Sequence, residues 1–138
     1  TGVCGWTDPD NRRTYPWGHE DQELVEFHRY ITGIHMRIKA LRRGSMKELV
    51  MKKNLIAYGR FQGDSRAIIA VSTSSEPCLA EIPAWQIGFQ DGDFIERIMK
   101  TGEKGYNVGA VQYEIHGGVL KVEMEPYGAV VLTNAWNL

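Results

Sequence analysis

The chain has 138 residues, of which 43% are apolar and 24% are charged, a composition typical of a folded globular domain rather than a disordered segment. Its 16 basic and 17 acidic residues give a formal net charge of −1, which argues against a nucleic-acid partner because phosphate binding requires a surplus of positive charge. The longest strongly apolar run, residues 67–71, is far shorter than the roughly 20 residues needed to cross a bilayer. The sequence therefore predicts a soluble protein that does not enter membranes.

Residues 1–19 predict a loop ahead of the first regular element. Glycine and proline recur throughout this stretch and interrupt any helical or strand period. The loop also contains one of the two cysteines, Cys4, and the other is Cys78. A disulfide between them and two free thiols are both compatible with the sequence. Cytoplasmic and secreted locations likewise both fit.

Residues from about Glu20 to Arg43 predict one long helix. Six large apolar residues recur at spacings of three and four and form an apolar stripe on one face; they are Leu24, Phe27, Ile31, Ile34, Ile38 and Leu41. Acidic residues begin the helix and basic residues end it, which complements the helix dipole. Gly44 is predicted to end it in a left-handed conformation. A stripe of this length needs a partner along the whole helix, so self-association through the helix is expected in the isolated chain.

After residue 44 the apolar period falls to two, which predicts strands. It is clearest at Leu120, Val122 and Met124, which alternate with charged residues. The candidate strands are Met46–Met51, Leu55–Phe61, Arg66–Ser72, Leu79–Ile82, Asp93–Met99, Ala110–Ile115, Val119–Met124 and Ala129–Thr133. So many short strands joined by turns indicate a mainly β fold, an antiparallel two-sheet β-sandwich preceded by one long α-helix.

One run in the loop is more specific than the rest. Residues 8–17 read Asp-Pro-Asp-Asn-Arg-Arg-Thr-Tyr-Pro-Trp, and an acidic helix start follows. This run resembles the segment after the eighth barrel strand of α-amylase-family glycoside hydrolases, in the neopullulanase, cyclomaltodextrinase and amylopullulanase-like branch. The helix resembles that family's eighth barrel helix, and the tail from Glu125 to Leu132 resembles the last strand of its C-terminal β-domain. Residues 47–121 match in pattern only.

The resemblance implies a division into two parts. Residues 1–44 would be the end of a catalytic (β/α)8 barrel, comprising its substrate-side loop and last helix. Residues 45–138 would be the C-terminal β-sandwich domain. The chain would then be a C-terminal fragment of a longer enzyme, and the rest of the barrel in the same polypeptide would be the helix's natural partner.

The resemblance also implies which residues contact substrate. In the family, the first Asp and the Arg four residues later hydrogen-bond glucose hydroxyls on the non-reducing side of the cleavage point, which implies Asp8 and Arg12. A carboxylate accepts from vicinal hydroxyls and a guanidinium donates to them. The alternative is a turn in which Arg12 makes a local ion pair. Trp6, Tyr15 and Trp17 either stack on sugar faces or hold the loop on its scaffold.

No catalytic residue is predicted within the chain. A retaining glycosidase needs two carboxyl groups about 5–5.5 Å apart, one of them a neutral acid. The family places these groups on its fourth and fifth barrel strands, with a third acidic residue after the seventh, and this chain has none of those strands. His28 and His35 are seven residues apart rather than the four typical of a zinc helix. We therefore predict no metal site, no cofactor and no activity of the chain alone.

Two functions remain to be compared. The first is the C-terminal portion of a retaining α-glycosidase acting on α-glucans such as starch, pullulan or cyclodextrin. Its duty would be structural, and it would contact an α-glucan oligosaccharide through the parent active site. The second is a free-standing carbohydrate-binding β-sandwich with an aromatic platform drawn from Trp85, Tyr106 or Trp136. The long apolar stripe favours the first, because a self-contained module has no use for it.

Overall fold

The computed structural model describes Gly5, Tyr15 and residues 17–136 of the chain. Two compact units are distinguished, Thr1–His35 and Met36–Leu138. Among the described residues, no helix has both the length and the apolar character required to traverse a lipid bilayer. The predicted domain boundary between residues 44 and 45 stays a prediction.

The predicted helical region forms two helices, α1 (Gln22–Arg37) and α2 (Lys39–Arg43). Ile38 separates them with extended backbone angles of φ −95° and ψ 115°. At the start of α1, the Leu24 N–H donates to the Asp21 Oδ1 atom over 3.1 Å, an N-terminal cap that satisfies one otherwise unpaired backbone donor. The single helix predicted over 20–43 is therefore one main helix followed by a short one.

Gly44 ends α2 in a different way from the one predicted. Its backbone is extended, with φ −75° and ψ 154°, rather than left-handed. Its N–H donates to the Ala40 carbonyl over 2.8 Å, and a Cβ at this position would collide with that carbonyl. Glycine is thus required here by the close approach of two backbone segments and not by a positive φ.

Burial along the apolar stripe changes from one end to the other. The buried members are Ile34, Ile38 and Leu41. Leu24 and Phe27 are half-buried, and Ile31 is 38% exposed. The periodicity therefore identified the apolar face correctly, but the first half of that face is incompletely covered.

Within the part of the chain that the structure describes, nine strands follow the helices, one more than predicted. Each of the eight predicted strands overlaps a strand of the structure, and the additional one is a short strand, β6. A 3-10 helix at Ala84–Ile87, which the sequence pattern did not predict, lies between β4 and β5. The strands are β1 (Ser45–Lys52), β2 (Leu55–Gln62), β3 (Ser65–Ser72), β4 (Cys78–Ile82), β5 (Phe94–Gly102), β6 (Gly105–Asn107), β7 (Val111–Glu114), β8 (Leu120–Met124) and β9 (Ala129–Thr133).

The strands form two antiparallel sheets. Seven strands make the larger sheet in the order β1-β2-β3-β9-β5-β6, with β7 also paired to β5. Strands β4 and β8 make the second sheet. Strand β9 crosses over to lie between β3 and β5, with Val131 opposite Ile69 on one side and Met99 on the other. This arrangement confirms the predicted fold class.

The core lies between the two sheets and contains residues from both. On β8 the buried residues are Leu120, Val122 and Met124, whereas Lys121 and Glu123 are exposed, as the alternation predicted. Buried residues of the larger sheet and of the 3-10 helix join the same cluster. Contacts of this kind supply most of the stability of a domain of this size.

Helix α2 packs against β2 and β3 and is tied to them by hydrogen bonds. The Ala40 N–H donates to the Ser65 Oγ atom over 3.1 Å, and the Arg60 Nη2 atom donates to the Gly44 carbonyl over 3.0 Å. These bonds satisfy polar groups at both ends of a helix of only 5 residues, which could not be stable by itself.

Candidate functional site

Of the five predicted sugar-contact residues, the structure describes two. Trp6, Asp8 and Arg12 lie outside the described residues. Tyr15 and Trp17 are 44% and 80% exposed, and their ring centroids lie 4.5 Å apart with planes tilted by 50°. The Trp17 N–H donates to the Tyr15 carbonyl over 2.9 Å. The two residues thus form an exposed aromatic pair, which we call the loop pair.

The chain turns sharply after the loop pair and enters α1. Gly18 has φ 80°, a left-handed conformation that an L side chain rarely adopts. The capped start of α1 follows within four residues. An exposed aromatic ring presents a flat apolar surface on which the C–H face of a sugar can rest, and a neighbouring ring held by a backbone hydrogen bond helps to fix its position.

Two of the aromatic residues proposed as a platform for the alternative function lie at opposite ends of one strand. Trp85 is 56% exposed on the 3-10 helix. Tyr106 is half-buried and pairs with the end of β5, whereas the half-buried Trp136 lines a cavity at the start of β5. At about 3.3 Å per strand residue these two positions are about 20 Å apart. They cannot stack on the same sugar ring.

A cluster of three polar side chains connects the two sheets. Arg97 on β5 is 7% exposed, and its Nη1 atom donates to the Tyr113 hydroxyl over 3.0 Å. That hydroxyl donates to the Glu123 Oε1 atom over 2.8 Å, and Arg97 Nη1 lies 3.6 Å from the same oxygen. Arg97 Nε is buried and has no partner among the described residues. Strands β5, β7 and β8 are joined by these contacts, which we call the Arg97 cluster.

The Arg97 cluster holds its groups in fixed charge states. Burial, together with the hydrogen bond to Glu123, raises the pKa of Tyr113 to about 12. The hydrogen bond from Tyr113 lowers the pKa of Glu123. At neutral pH the tyrosine is therefore a neutral donor and the glutamate is ionised, whereas a general acid needs a pKa near the working pH. These charge states suit a structural link between the strands. The sequence analysis did not identify these residues. The available signal was Arg97, a charged residue two positions after the buried Ile95 and therefore on the same face of the strand.

The carboxyl groups of the described residues all keep part of their surface in contact with solvent. No Asp or Glu among these residues is buried, and burial is the usual cause of a carboxyl group that stays neutral at pH 7. Within the same residues no group of three or more His, Cys, Asp or Glu side chains is placed to hold a metal ion. Cys78 is a half-buried free thiol, and Cys4 lies outside the described residues.

No family model matches the chain, but comparison with known proteins gives similar sequences and structures. It is 30% identical over 126 residues to an amylopullulanase of Thermoanaerobacterium saccharolyticum, covering 83% of this chain and 10% of the relative. It is 28% identical over 141 residues to neopullulanase 2 of Thermoactinomyces vulgaris, covering 96% of this chain and 21% of the relative. The chain thus spans only about a tenth to a fifth of the length of these relatives.

A solved structure shares the fold. The α-amylase from Geobacillus thermoleovorans complexed with acarbose matches with a TM-score of 0.73 at 21% identity, over 94% of this chain and 26% of that one. The names of the sequence relatives agree with the family resemblance of the sequence, and this structural likeness agrees with the two antiparallel sheets. Taken together, the similarity to these relatives supports an α-amylase-family C-terminal fragment, and the solved structure supports its fold.

Proposed function

We propose that this chain is the non-catalytic C-terminal portion of a retaining α-glycosidase that acts on α-glucans of the starch, pullulan or cyclodextrin type. The observation that carries the proposal is the share of each relative's length that aligns with this chain. Alignment with the amylopullulanase and the neopullulanase uses 83% and 96% of this chain but only 10% and 21% of those enzymes. Most of each relative, including room for an entire barrel, therefore lies outside the matched segment.

The chemistry of the described residues supports a structural role. Retaining hydrolysis needs a nucleophilic carboxylate and a neutral carboxylic acid on either side of the anomeric carbon. No described carboxyl group is buried, and Glu123, which has a buried arginine and a tyrosine beside it, has its pKa lowered rather than raised. The two sheets close their own core, which suits a domain that supports a neighbouring catalytic barrel.

Substrate contact is proposed for the loop alone. Asp8 and Arg12 would hydrogen-bond the hydroxyls of a glucose unit on the non-reducing side of the cleaved bond, since their side chains provide an acceptor and a forked donor. The loop pair supports this assignment, because Trp17 is 80% exposed immediately downstream. These groups would contact part of one subsite, so binding by the chain alone is expected to be weak.

The first experiment tests catalysis. The purified chain is incubated with maltoheptaose, and the release of reducing sugar is measured against a blank, with an intact α-amylase as the positive control. We expect no release above the blank, because the acid and nucleophile belong to other parts of the parent enzyme. Release that disappears in an Asp8→Ala variant would show that the chain carries its own catalytic carboxylate and would overturn the proposal.

The second experiment compares the loop with the platform of the alternative function. Maltotriose is titrated into Trp17→Ala and Trp85→Ala variants; both tryptophans are more than half exposed, so both variants should fold. We expect Trp17→Ala to weaken binding and Trp85→Ala to leave it unchanged. The opposite result would favour a free-standing carbohydrate-binding module that uses the 3-10 helix.

A further inference from the structure

A cavity of about 270 Å³ opens on the larger sheet, remote in sequence from the loop. It lies where β7, β5 and β9 are side by side and where the chain continues past β9. Its lining residues include two aromatic and several uncharged polar side chains. Together with the apolar Ile95 and the acidic Glu96, the lining residues are Phe94, Gln112, Thr133, Asn134 and Trp136.

Strand register explains how the polar side chains meet. Ile95 is 1% exposed and belongs to the core, so its neighbours Phe94 and Glu96 face away from the core. Glu96 lies opposite Gln112 on β7 and opposite Thr133 on β9. The three side chains therefore form one row across three strands, and Phe94 stands beside it on the same face.

One wall of the cavity is fixed by hydrogen bonds. The Thr133 Oγ1 atom donates to the Arg66 carbonyl over 2.8 Å. Asn134 accepts from the Arg66 N–H through Oδ1 over 2.8 Å and donates from Nδ2 to the Asp64 carbonyl over 2.9 Å. Because these bonds lock both side chains, the wall is preorganised, and a ligand need not order it on binding.

The opposite wall has hydrogen-bonding capacity to spare. Glu96 is half-buried and Gln112 is exposed, and neither side chain is hydrogen-bonded or ion-paired to any residue in the part of the chain that the structure describes. Phe94 is 54% exposed, so its ring is accessible to a ligand. A carboxylate accepts and an amide both donates and accepts, so the pair can serve adjacent hydroxyl groups beside an apolar ring.

We propose that this cavity is a second sugar-binding site, which holds one pyranose ring of a neutral oligosaccharide. The lining residues contain no Lys, Arg or His, which disfavours phosphate and other anions. The guanidinium of Arg37 lies over the Trp136 ring, 4.3 Å from its centroid, so that ring face is already occupied and the sugar ring would rest against Phe94. The volume is just below the roughly 300–1,000 Å³ of pockets for drug-sized ligands, so it suits a single ring.

The identity of the sugar as an α-glucan rests on the proposed function, whereas the site itself rests on the cavity. The site would anchor the outer part of a chain whose cleaved bond lies elsewhere. Two weak sites on one polypeptide raise the overall affinity when one oligosaccharide can reach both. The cavity would thus add affinity without taking part in bond cleavage.

The test is a titration of the full chain with maltotriose, in which binding is monitored by the NMR chemical shifts of the backbone amides and tryptophan indoles. We expect saturable shifts at Phe94, Glu96 and Gln112. Phe94→Ala and Gln112→Ala should each weaken this binding by about tenfold, which corresponds to about 1.4 kcal/mol. Val111→Ala is the matched control, because Val111 is 40% exposed on the same strand as Gln112 and does not line the cavity.

Spectra of each variant before sugar is added establish that it is folded. Trp17→Ala should leave the cavity shifts unchanged, which separates this site from the loop. The absence of maltotriose-induced shifts at the cavity residues, or equal affinity in the wild type and both cavity variants, would overturn the inference. Neither result would affect the proposed function, which depends on the hydrolysis assay.

Discussion

The two-sheet region and helix α1 each present a regularly spaced apolar face, but they bury it to different extents. On β8 every second side chain is buried, and Leu120 and Val122 have no exposed surface. On α1 the stripe is just as regular in sequence, yet Ile31 is 38% exposed and Phe27 is only half-buried. Periodicity therefore tells which face is apolar, but it does not tell whether the same chain supplies the cover.

The difference has a physical origin. A strand face is covered by a second sheet, and strands from both sheets are present within this chain. A barrel helix is covered along its length by barrel strands, which in our proposal belong to the remainder of a longer polypeptide. A stripe that is incompletely covered in one unit and a core that is closed in the other are what our proposal expects of the chain.

The largest expected effect is on stability and comes from a substitution in the core between the two sheets. Leu120→Ala should lower the free energy of unfolding by about 2–5 kcal/mol, because it leaves a cavity in a fully buried site. Leu79→Ala is the matched control on the paired strand β4; Leu79 is 56% exposed, so its loss should be within about 0.5 kcal/mol. Urea unfolding followed by circular dichroism measures both. Equal losses would show that the two sheets do not enclose the core described.

The next effect concerns the link between the sheets. Tyr113→Phe removes both the donor to Glu123 and an acceptor for the buried Arg97, so it should cost about 1–3 kcal/mol in the free energy of unfolding. Tyr127→Phe is the control, because Tyr127 is 58% exposed. If both variants unfold at the same urea concentration as the wild type, the Arg97 cluster contributes nothing to the link.

The same cluster predicts how stability depends on pH. The pKa of Tyr113 is raised from 10.0 to about 12, so its contribution is complete below pH 10.0 and is lost as the pH rises towards about 12. The pKa of Glu123 is lowered from 4.5, so its contribution is complete above pH 4.5 and is lost as the pH falls below that value. Urea midpoints across both ranges measure this. Tyr113→Phe should flatten the alkaline loss, and an unchanged alkaline slope would contradict the assignment.

The smallest expected effect on stability comes from a substitution on the incompletely covered face of α1. Ile31→Glu on α1 should change the free energy of unfolding by no more than about 0.5 kcal/mol, since glutamate is a good helix former and the site is exposed. It should nevertheless reduce self-association of the chain, which sedimentation equilibrium measures. Met46→Glu, at a 65% exposed position on β1, is the control. A wild-type chain that stays monomeric at high concentration would refute association through the helix.

Much of the fold was predictable because burial is written in the spacing of apolar residues. The alternation at Leu120, Val122 and Met124 predicted both the strand and its buried face. The same rule misled at Ile38. Its side chain is completely buried, as the helical spacing predicted, but its backbone is extended. The spacing of apolar residues predicts which side chains are buried, but it does not predict the backbone dihedral angles at those residues.

The long-range features could not be read from the sequence. Strand β6 has only 3 residues, too few for a period. The insertion of β9 between β3 and β5, and hence the row formed by Glu96, Gln112 and Thr133, depends on the pairing of residues far apart in the chain. Asp8 and Arg12 were assigned from the resemblance of a motif, and they stay a prediction.

The central place of β9 has a consequence for the order of folding. Strands β3 and β5 both leave an edge open until residues 129–133 arrive to fill the gap between them. During synthesis, the sheet must therefore wait as two incomplete halves with exposed backbone donors and acceptors, the state in which β proteins most readily pair with the wrong neighbour. The larger sheet is completed when β9 pairs with β3 on one side and with β5 on the other. A nascent chain that stops before residue 129 lacks the strand that joins the two halves of the sheet.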